Sequence, residues 1–213
     1  FGTVAAWQLG QHPTYLYTVP MFHCNGWGHA WTTALMAATI VLTRTITAEE
    51  IFRLVETHKV THFGGAPIVL GMLVNADETL RPDLSDRTVK VMTAGAPPPA
   101  SILEKLSAMG FEVMQVYGLT ETYGHVTQCV CREEWDDLPF SEKAELQSWQ
   151  GVTFPMNEDV AVIDNETGQL VPRDGQTQGE VVIRGNTVMK GYYKNQQAND
   201  EAIRHGWFYS GDA

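Results

Sequence analysis

The chain has 213 residues, of which 44% are hydrophobic and 18% are charged. This composition is typical of a globular protein with a sizeable core and excludes global disorder. The formal net charge of −11 argues against nucleic acid and anionic membrane as partners, because both are negatively charged themselves.

Short apolar runs alternate with helical patterns over residues 1–131. Strands are predicted at 14–20, 40–44, 60–66, 89–95 and 111–118. Helices are predicted at 26–39, 47–59, 67–75 and 99–110. This alternation predicts an α/β fold in which helices cover a parallel sheet.

The pattern changes over residues 132–213, which begin with an acidic connector rich in loop-forming residues. A strand, a second strand, a short helix and a last strand are then predicted at 159–164, 179–185, 195–205 and 207–212. Because only a turn separates the first two of these strands, we expect a smaller antiparallel unit after the parallel sheet.

Polar and small residues stand at the carboxyl end of a predicted parallel strand, in QVYGLTETYG. Tyr117 offers a ring for stacking on a base, Thr120 a hydroxyl for a phosphate, and Glu121 an oxygen ligand for Mg²⁺. Ligands of open α/β sheets bind at such strand ends, and Gly118 lets a ligand approach the backbone. Taken alone, the segment also fits a strand that ends in a polar turn.

A second turn of small residues ends the preceding strand. Gly95 and Ala96 are small, and Pro97 stiffens the chain before a helix. Taken alone, this is also an ordinary connection between a strand and a helix. Because the two turns leave neighbouring strand ends, we expect them to form two walls of one slot.

Other candidate positions lie near the two ends of the chain. His23 lies between a strand and the glycine-rich start of a helix, where it could face a carboxylate, and Trp27 could close a pocket. Asp212 follows the last strand, and acidic residues at such strand ends accept the hydroxyls of a ribose. A satisfied histidine, a core tryptophan and a turn aspartate are the structural alternatives.

Cysteine spacing and hydropathy indicate an intracellular protein. Cys24, Cys129 and Cys131 follow no metal-binding spacing, and an odd number of thiols favours the reduced state. The most apolar stretch, residues 30–42, is too short for a membrane span, and no signal peptide is visible. The chain opens with FGTV, without a methionine, so we expect a segment of a longer protein.

Six segments occur in an order that resembles the adenylate-forming superfamily, and within it the acyl-CoA synthetases of the AMP-binding enzyme family. They are PMFHCNGW, GGAP, TAGAPPPASI, QVYGLTETYG, GEVVIRGNTVMKGYY and GWFYSGDA, and they span nearly the whole chain. The resemblance implies a fragment of the large amino-terminal domain. The family's phosphate loop would precede residue 1, and its small carboxyl-terminal domain, with a catalytic lysine, would follow residue 213.

The resemblance implies how the nucleotide is held. The turn formed by Gly95, Ala96 and Pro97 matches the family turn that borders the adenine. Tyr117 resembles the ring that stacks on the base. Asp212 matches the aspartate that holds the ribose, so that residues 132–213 end at the ribose-binding motif.

The resemblance also implies catalytic and acyl-binding roles. Thr120 resembles the hydroxyl that contacts phosphate, and Glu121 resembles the Mg²⁺ ligand. His23 matches a histidine beside the acyl pocket, at the junction with the pantetheine tunnel. Trp27 and Gly118 would line that pocket.

The implied activity is that of an acid–thiol ligase of fatty acid metabolism. A short- or medium-chain carboxylate would attack the α-phosphorus of ATP to give an acyl-adenylate and pyrophosphate, and the thiol of CoA would then displace AMP. The expected partners are therefore a small-molecule carboxylate, ATP and CoA, with Mg²⁺ offsetting the acidic charge of the chain. A homo-oligomer is left open, and the implied location is cytoplasmic or peroxisomal.

Alternative interpretations remain open at this point. An adenylation domain that loads a carrier protein and a luciferase-like monooxygenase would share the same motifs. A non-catalytic nucleotide-binding remnant would explain why the phosphate loop and the catalytic lysine are missing. We expect the chain alone to be inactive under each of these interpretations.

Overall fold

A computed structural model describes the backbone of residues 1–213 and the side chains of 1–139 and 141–213. The helices are α1 Gly2–Ala6, α2 Cys24–Trp27, α3 His29–Leu35, α4 Ala48–Thr57, α5 Pro67–Val74, α6 Ala100–Ala108, α7 Phe140–Gln147 and α8 Gln196–Ala202. Short 3-10 turns occur at Glu78–Leu80, Thr120–Thr122 and Glu133–Trp135. Across the described backbone, no helix combines the length and apolar character that a bilayer span requires.

The strands are β1 Thr14–Tyr17, β2 Thr39–Leu42, β3 His62–Gly64, β4 Val89–Thr93, β5 Phe111–Leu119, β6 Gly124–Gln128, β7 Val152–Thr153, β8 Asp159–Ile163, β9 Glu180–Arg184, β10 Ile203–Arg204 and β11 Trp207–Tyr209. Within the described backbone, the main sheet has the strand order β2-β1-β3-β4-β5-β6-β7. Its first five strands are parallel, which confirms the α/β fold with a mostly parallel sheet. β6 and β7 are antiparallel additions that the sequence pattern did not predict.

A second, antiparallel sheet follows in the order β10-β11-β9-β8, which confirms the smaller antiparallel unit. Its inner side chains Ile183 and Phe208 form one buried cluster with Val126 of the main sheet. Burial of this shared apolar surface holds the two sheets together. The carboxyl end of β5 therefore lies beside the last strand of the chain.

One face of the main sheet carries the largest core. Helix α4 starts where predicted, because the Thr47 side chain accepts a hydrogen bond from the Glu50 amide at 3.3 Å. Its apolar face then packs against the sheet together with α5 and α6. The fully buried side chains of this core include Leu16, Ile51, Phe52, Phe63, Leu70, Leu106 and Phe111.

The predicted helix over 26–39 is wrong at its start. Cys24–Trp27 forms a single left-handed turn with φ values of 44°, 50°, 63° and 54°, and the right-handed helix begins only at His29. Gly26 and Gly28 adopt such angles without strain, whereas the other residues of the turn are held there against a steric cost. The turn places the Cys24 thiol next to the Thr120 hydroxyl, at the carboxyl end of β5.

The opposite face of the main sheet holds buried histidines. In the described part of the chain, His29, His62 and His125 are all buried, and Trp7 stacks on His29 with ring centroids 5.2 Å apart. Burial lowers the pKa of His29 from its ordinary 6.5 to about 3, with His125 and His62 adding to the effect. Burial likewise lowers the pKa of His62 and of His125 to about 4.

We expect acid to destabilise the fold through these histidines. Each ring is neutral in the folded protein and binds a proton more readily in the unfolded protein. The stability that the neutral ring contributes is therefore complete above pH 6.5 and is lost as the pH falls toward 4. The free energy of unfolding should fall by about 1.4 kcal/mol per pH unit for each histidine in this window. Denaturant titrations at several pH values measure this slope. His62→Gln should make this slope shallower. A slope equal to that of the unmodified protein would contradict the assignment.

Candidate functional site

The carboxyl end of β5 presents Thr120 and Glu121 on a fixed turn. Strand β5 runs directly into the 3-10 turn Thr120–Thr122. The Thr122 hydroxyl oxygen accepts from the Leu119 amide at 3.0 Å, and the hydroxyl lies 2.7 Å from the Gly124 carbonyl oxygen. These bonds satisfy backbone groups at the strand end and fix the turn that carries Thr120 and Glu121.

Gly118 allows β5 and β6 to approach each other closely at this point. The register between the two strands shifts between Tyr117 and Gly118. A Cβ atom at residue 118 would overlap the Gly124 carbonyl oxygen and lie 2.5 Å from the His125 Cα. Only glycine fits here, which accounts for its position within the site.

A cavity of about 300 Å³ opens beside this strand end. The predicted site residues that line it are His23, Trp27, Gly95, Gly118 and Thr120. The remaining lining is largely apolar and includes Val19, Ala66, Val69, Val116 and Leu119. The left-handed turn and the ends of β4 and β5 therefore form the walls of one cavity.

The left-handed turn supplies one wall of the cavity. Trp27 is buried, and a Cβ atom added to Gly64 would lie 3.3 Å from its ring. The Cys24 thiol lies 3.6 Å from the Thr120 hydroxyl oxygen, so the turn contacts the end of β5. His23 precedes the turn as its extended N-cap and is exposed at the cavity rim.

The turn after β4 supplies another wall, but only in part. Gly95 adopts a φ of 99°, a conformation that favours glycine, and lines the cavity. Ala96 and Pro97 are exposed on the connection to α6 and do not line the cavity in the described structure. Both residues lie on the surface next to it.

Asp212 lies against Tyr117, although the two residues are 95 positions apart. The Tyr117 hydroxyl donates to Asp212 Oδ2 at 2.6 Å, and the Asp212 carbonyl accepts from the Val181 amide at 2.9 Å. Burial raises the pKa of Tyr117 above its ordinary 10.0, and the hydrogen bond to Asp212 raises it further. The phenol is therefore a protonated donor at neutral pH.

Glu121 is held by two residues that were not predicted as site residues, Tyr192 and Met189. The Tyr192 hydroxyl donates to Glu121 Oε1 at 3.1 Å, and the Glu121 carbonyl accepts from the Met189 amide at 2.7 Å. Both partners lie in GEVVIRGNTVMKGYY, one of the six segments of the family resemblance, but neither was assigned a role in the site. Only the three-dimensional packing of the second sheet identifies them.

The surroundings of Glu121 fit a cation whose other ligands are substrate phosphates and water molecules. The described side chains contain no group of three or more His, Cys, Asp or Glu that could hold a metal ion. Mg²⁺ is commonly held by one or two carboxylates together with substrate phosphates and waters. One free carboxylate oxygen at Glu121 is consistent with that arrangement.

The sequence profile of the AMP-binding enzyme family matches residues 2–193. The chain belongs to the AMP-binding enzyme family. This confirms the resemblance drawn from the six segments. The match covers the cavity-lining strand ends and stops before Asp212, so it includes most of the candidate site.

Curated relatives in this family are CoA ligases by name. The peroxisomal acetate/butyrate–CoA ligase AAE7 of Arabidopsis thaliana is 48% identical over 97% of this chain. The acetate–CoA ligase CCL3 of Humulus lupulus is 46% identical over 97%, and the peroxisomal benzoate–CoA ligase of Arabidopsis thaliana is 43% identical over 98%. The chain spans 36% of the length of each of these three relatives.

Solved structures share the fold. The inhibitor-bound N-terminal domain of FACL13 from Mycobacterium tuberculosis superposes with a TM-score of 0.82 at 25% identity, covering 99% of this chain and 49% of that one. O-succinylbenzoate coenzyme A synthetase from Bacillus subtilis, in complex with ATP and magnesium ion, gives a TM-score of 0.78 at 22% identity. That comparison covers 99% of this chain and 41% of the synthetase.

Proposed function

We propose that this chain is the nucleotide- and acyl-binding portion of an AMP-forming acyl-CoA ligase. The activity is adenylation of a short- or medium-chain carboxylate by ATP, followed by transfer of the acyl group to CoA. The observation that carries the proposal is the convergence of Gly95, Gly118 and Thr120 on one cavity, with Asp212 bonded to Tyr117 beside it. The names of the relatives support the same activity.

Nucleotide binding in this proposal uses residues from both regions of the chain. Within residues 1–131, the Tyr117 ring stacks on the adenine, and the small turn at Gly95, Ala96 and Pro97 lets the base approach the backbone. Within residues 132–213, the Asp212 carboxylate accepts hydrogen bonds from the ribose hydroxyls. The exposed position of Asp212 supports this role, because one carboxylate oxygen is free of the Tyr117 bond.

Adenylation in this proposal depends on placement and charge neutralisation. Thr120 donates its hydroxyl to a phosphate, and Glu121 holds Mg²⁺ on the turn fixed by Thr122. When bound, Mg²⁺ neutralises phosphate charge and favours attack on the α-phosphorus. A protein nucleophile is not required, because orientation of the carboxylate and stabilisation of developing charge lower the barrier.

The acyl group occupies the apolar cavity in this proposal. Trp27 and Gly118 form its walls, and a volume of about 300 Å³ suits a small acyl chain. His23 lies on the rim, where the pantetheine arm of CoA would meet the acyl carbon. The acetate and butyrate specificities in the names of relatives support the short end of the range.

We also propose a peroxisomal location, with the cytoplasm as the alternative. The support is that several relatives carry the word peroxisomal in their names. A fluorescent fusion of the complete open reading frame that encodes this chain, hereafter the full-length product, would distinguish the two compartments.

The test of the proposed function is ATP–pyrophosphate exchange and thioester formation by the full-length product with acetate, butyrate, hexanoate and benzoate. We expect exchange with one or more of the short acids and a CoA thioester in the presence of CoA. Exchange without a thioester would indicate an adenylation domain that loads a carrier protein. Nucleotide binding without exchange for any acid would indicate a non-catalytic remnant.

The 213-residue chain alone should release no pyrophosphate above background. The resemblance puts the phosphate loop and the catalytic lysine outside these residues, so the chain holds only some of the catalytic set. An ATP-dependent pyrophosphate-release assay with butyrate measures this directly. Turnover by the isolated chain would show that the missing elements are not required.

Tyr117→Ala in the full-length product should raise the KM for ATP by about tenfold, because it removes stacking area and frees the Asp212 side chain. Initial rates at varied ATP and at saturating acid give this constant. If the KM for the acid changes while that for ATP does not, the ring belongs to the acyl pocket instead.

A further inference from the structure

Two tyrosine hydroxyls form hydrogen bonds between the main sheet and the second unit at the candidate site. Each unit donates one of these bonds and accepts the other. Tyr117, on β5 of the main sheet, donates to Asp212, which follows the last strand of the second sheet. Tyr192, which lies between β9 and α8, donates back to Glu121 on the turn after β5. Each of the carboxylates assigned to ribose and to Mg²⁺ thus accepts a bond from the other structural unit.

The main chain at each carboxylate is already fixed by a backbone hydrogen bond. The Asp212 carbonyl accepts from Val181, and the Glu121 carbonyl accepts from Met189. These bonds fix the position of the Cα atoms but leave the side-chain torsions free. The phenolic hydroxyls are the contacts that restrict those torsions.

Each tyrosine occupies one carboxylate oxygen and leaves the other free. The Tyr117 hydroxyl donates a hydrogen bond to Oδ2 of Asp212, and the Tyr192 hydroxyl donates one to Oε1 of Glu121. Desolvation and then the hydrogen bond to the neighbouring carboxylate raise the pKa of both phenols above its ordinary 10.0, although Tyr192 is 36% exposed, so both hydroxyls donate at neutral pH. An ionised carboxylate has acceptor sites on both oxygens, so the second oxygen can face a ligand.

Asn199 of helix α8 holds Tyr192 in place. Its backbone amide donates to Asn199 Oδ1 at 2.6 Å, and Asn199 Nδ2 donates to its carbonyl at 3.2 Å. The neighbouring Tyr193 is 87% exposed, and its ring lies 5.1 Å from the Lys194 ammonium. The two adjacent tyrosines therefore differ in their contacts, and within the described side chains only Tyr192 reaches a carboxylate of the candidate site.

We infer that the hydroxyls of Tyr117 and Tyr192 are positioning groups for the reaction. They hold the carboxylates of Asp212 and Glu121 in the orientations that bind the ribose and the metal ion. The inference rests on the proposed function and extends it. Tyr117 acts through its hydroxyl as well as its ring, and the second sheet supports the metal site without supplying a ligand.

Tyr117→Phe tests the ribose half, since phenylalanine keeps the ring and removes only the hydroxyl. Calorimetry of the full-length product without metal should show AMP binding weakened by about tenfold. Binding of 2′,3′-dideoxy-AMP should be equal in the variant and the unmodified protein, because that nucleotide has no hydroxyls for Asp212. The Tyr117→Phe change should also have little further effect in an Asp212→Asn background. If Tyr117→Phe weakens the binding of AMP and of 2′,3′-dideoxy-AMP equally, the Tyr117 hydroxyl has a merely structural role and the inference is overturned.

Tyr192→Phe tests the metal half, with Tyr193→Phe as the matched control. Mn²⁺ binding to the full-length product with a non-hydrolysable ATP analogue, followed by electron paramagnetic resonance, should weaken by about tenfold in Tyr192→Phe only. Metal-free AMP binding should be unchanged in both variants. Equal Mn²⁺ affinities in the two variants would overturn the inference.

These outcomes separate the inference from the proposed function. If the unmodified protein exchanges pyrophosphate while the variants bind nucleotide and Mn²⁺ as it does, only the positioning role fails. If the unmodified protein binds no AMP, the proposed function fails and the inference fails with it.

Discussion

Glu121→Gln in the full-length product should lower the rate of ATP–pyrophosphate exchange by about two orders of magnitude. Glutamine keeps the size of the side chain and still accepts the Tyr192 hydrogen bond, so the turn at Thr120–Thr122 should persist. What is lost is the negative charge, and Mg²⁺ strongly prefers anionic oxygen ligands. The measurement is the exchange rate at saturating acid over a range of MgCl₂ concentrations.

A charge-neutralising substitution on β5 is the matched control. Glu112→Gln removes an equal charge from an exposed position near the start of β5, away from the cavity, and should leave exchange unchanged. Metal-free AMP binding should be the same in both variants, since the proposal assigns Glu121 to the metal and not to the base. If Glu121→Gln exchanges pyrophosphate at the wild-type rate, Glu121 is not a ligand of the metal ion.

Local sequence patterns were sufficient to predict the parallel sheet. The strands β1, β3, β4 and β5 lie within short segments rich in aromatic, β-branched and other apolar residues, and the helices between them carry start signals such as Thr47 and Pro67 that the structure retains. Such signals depend on neighbouring residues alone, so they can be read without knowing the fold. The parallel arrangement follows, because a helix between two strands returns the chain to the same end of the sheet.

Strand β6 could not be predicted in the same way. Its five residues, GHVTQ, are all buried, yet His125, Thr127 and Gln128 are polar. The side-chain oxygens of Thr127 and Gln128 have no hydrogen-bond partner among the described residues. Pairing with β5 places these side chains inside the protein, which no hydropathy pattern indicates.

The left-handed turn was missed for a related reason. GWGHAW is rich in apolar residues and looks helical, but its first three residues, Gly26, Trp27 and Gly28, all have positive φ values. Trp27 is buried at this wall of the cavity, and the apolar pattern does not distinguish such burial from burial on a helix face.

The contacts that complete the site lie beyond local sequence reasoning. Tyr117 and Asp212 were each predicted from the end of a strand, but their bond depends on how the second sheet packs against the first. That packing rests on the buried cluster of Val126, Ile183 and Phe208, which come from widely separated segments. Tyr192 reaches Glu121 through the same packing, so its contribution became visible only in the folded chain.

Gly118→Ala should destabilise the folded chain by about 3 kcal/mol or more. The added methyl group would overlap the Gly124 carbonyl and lie 2.5 Å from the His125 Cα, and both are backbone atoms that no side-chain rotation can move. Relief requires β5 to separate from β6 at the point where their register shifts. The turn with Thr120 and Glu121 would move with them, so activity of the full-length product should fall together with stability.

Denaturant unfolding of the chain measures this loss, with Gly71→Ala as the matched control. Gly71 lies inside helix α5, and nothing lies within 4 Å of its Cβ position. The same chemical change there should stabilise the chain by about 0.5–1 kcal/mol, because alanine favours helix interiors over glycine. Opposite signs for the two substitutions would attribute the cost at residue 118 to the close approach of the strands. If the two variants instead unfold at the same denaturant concentration, the close approach of β5 and β6 at residue 118 is not required for stability.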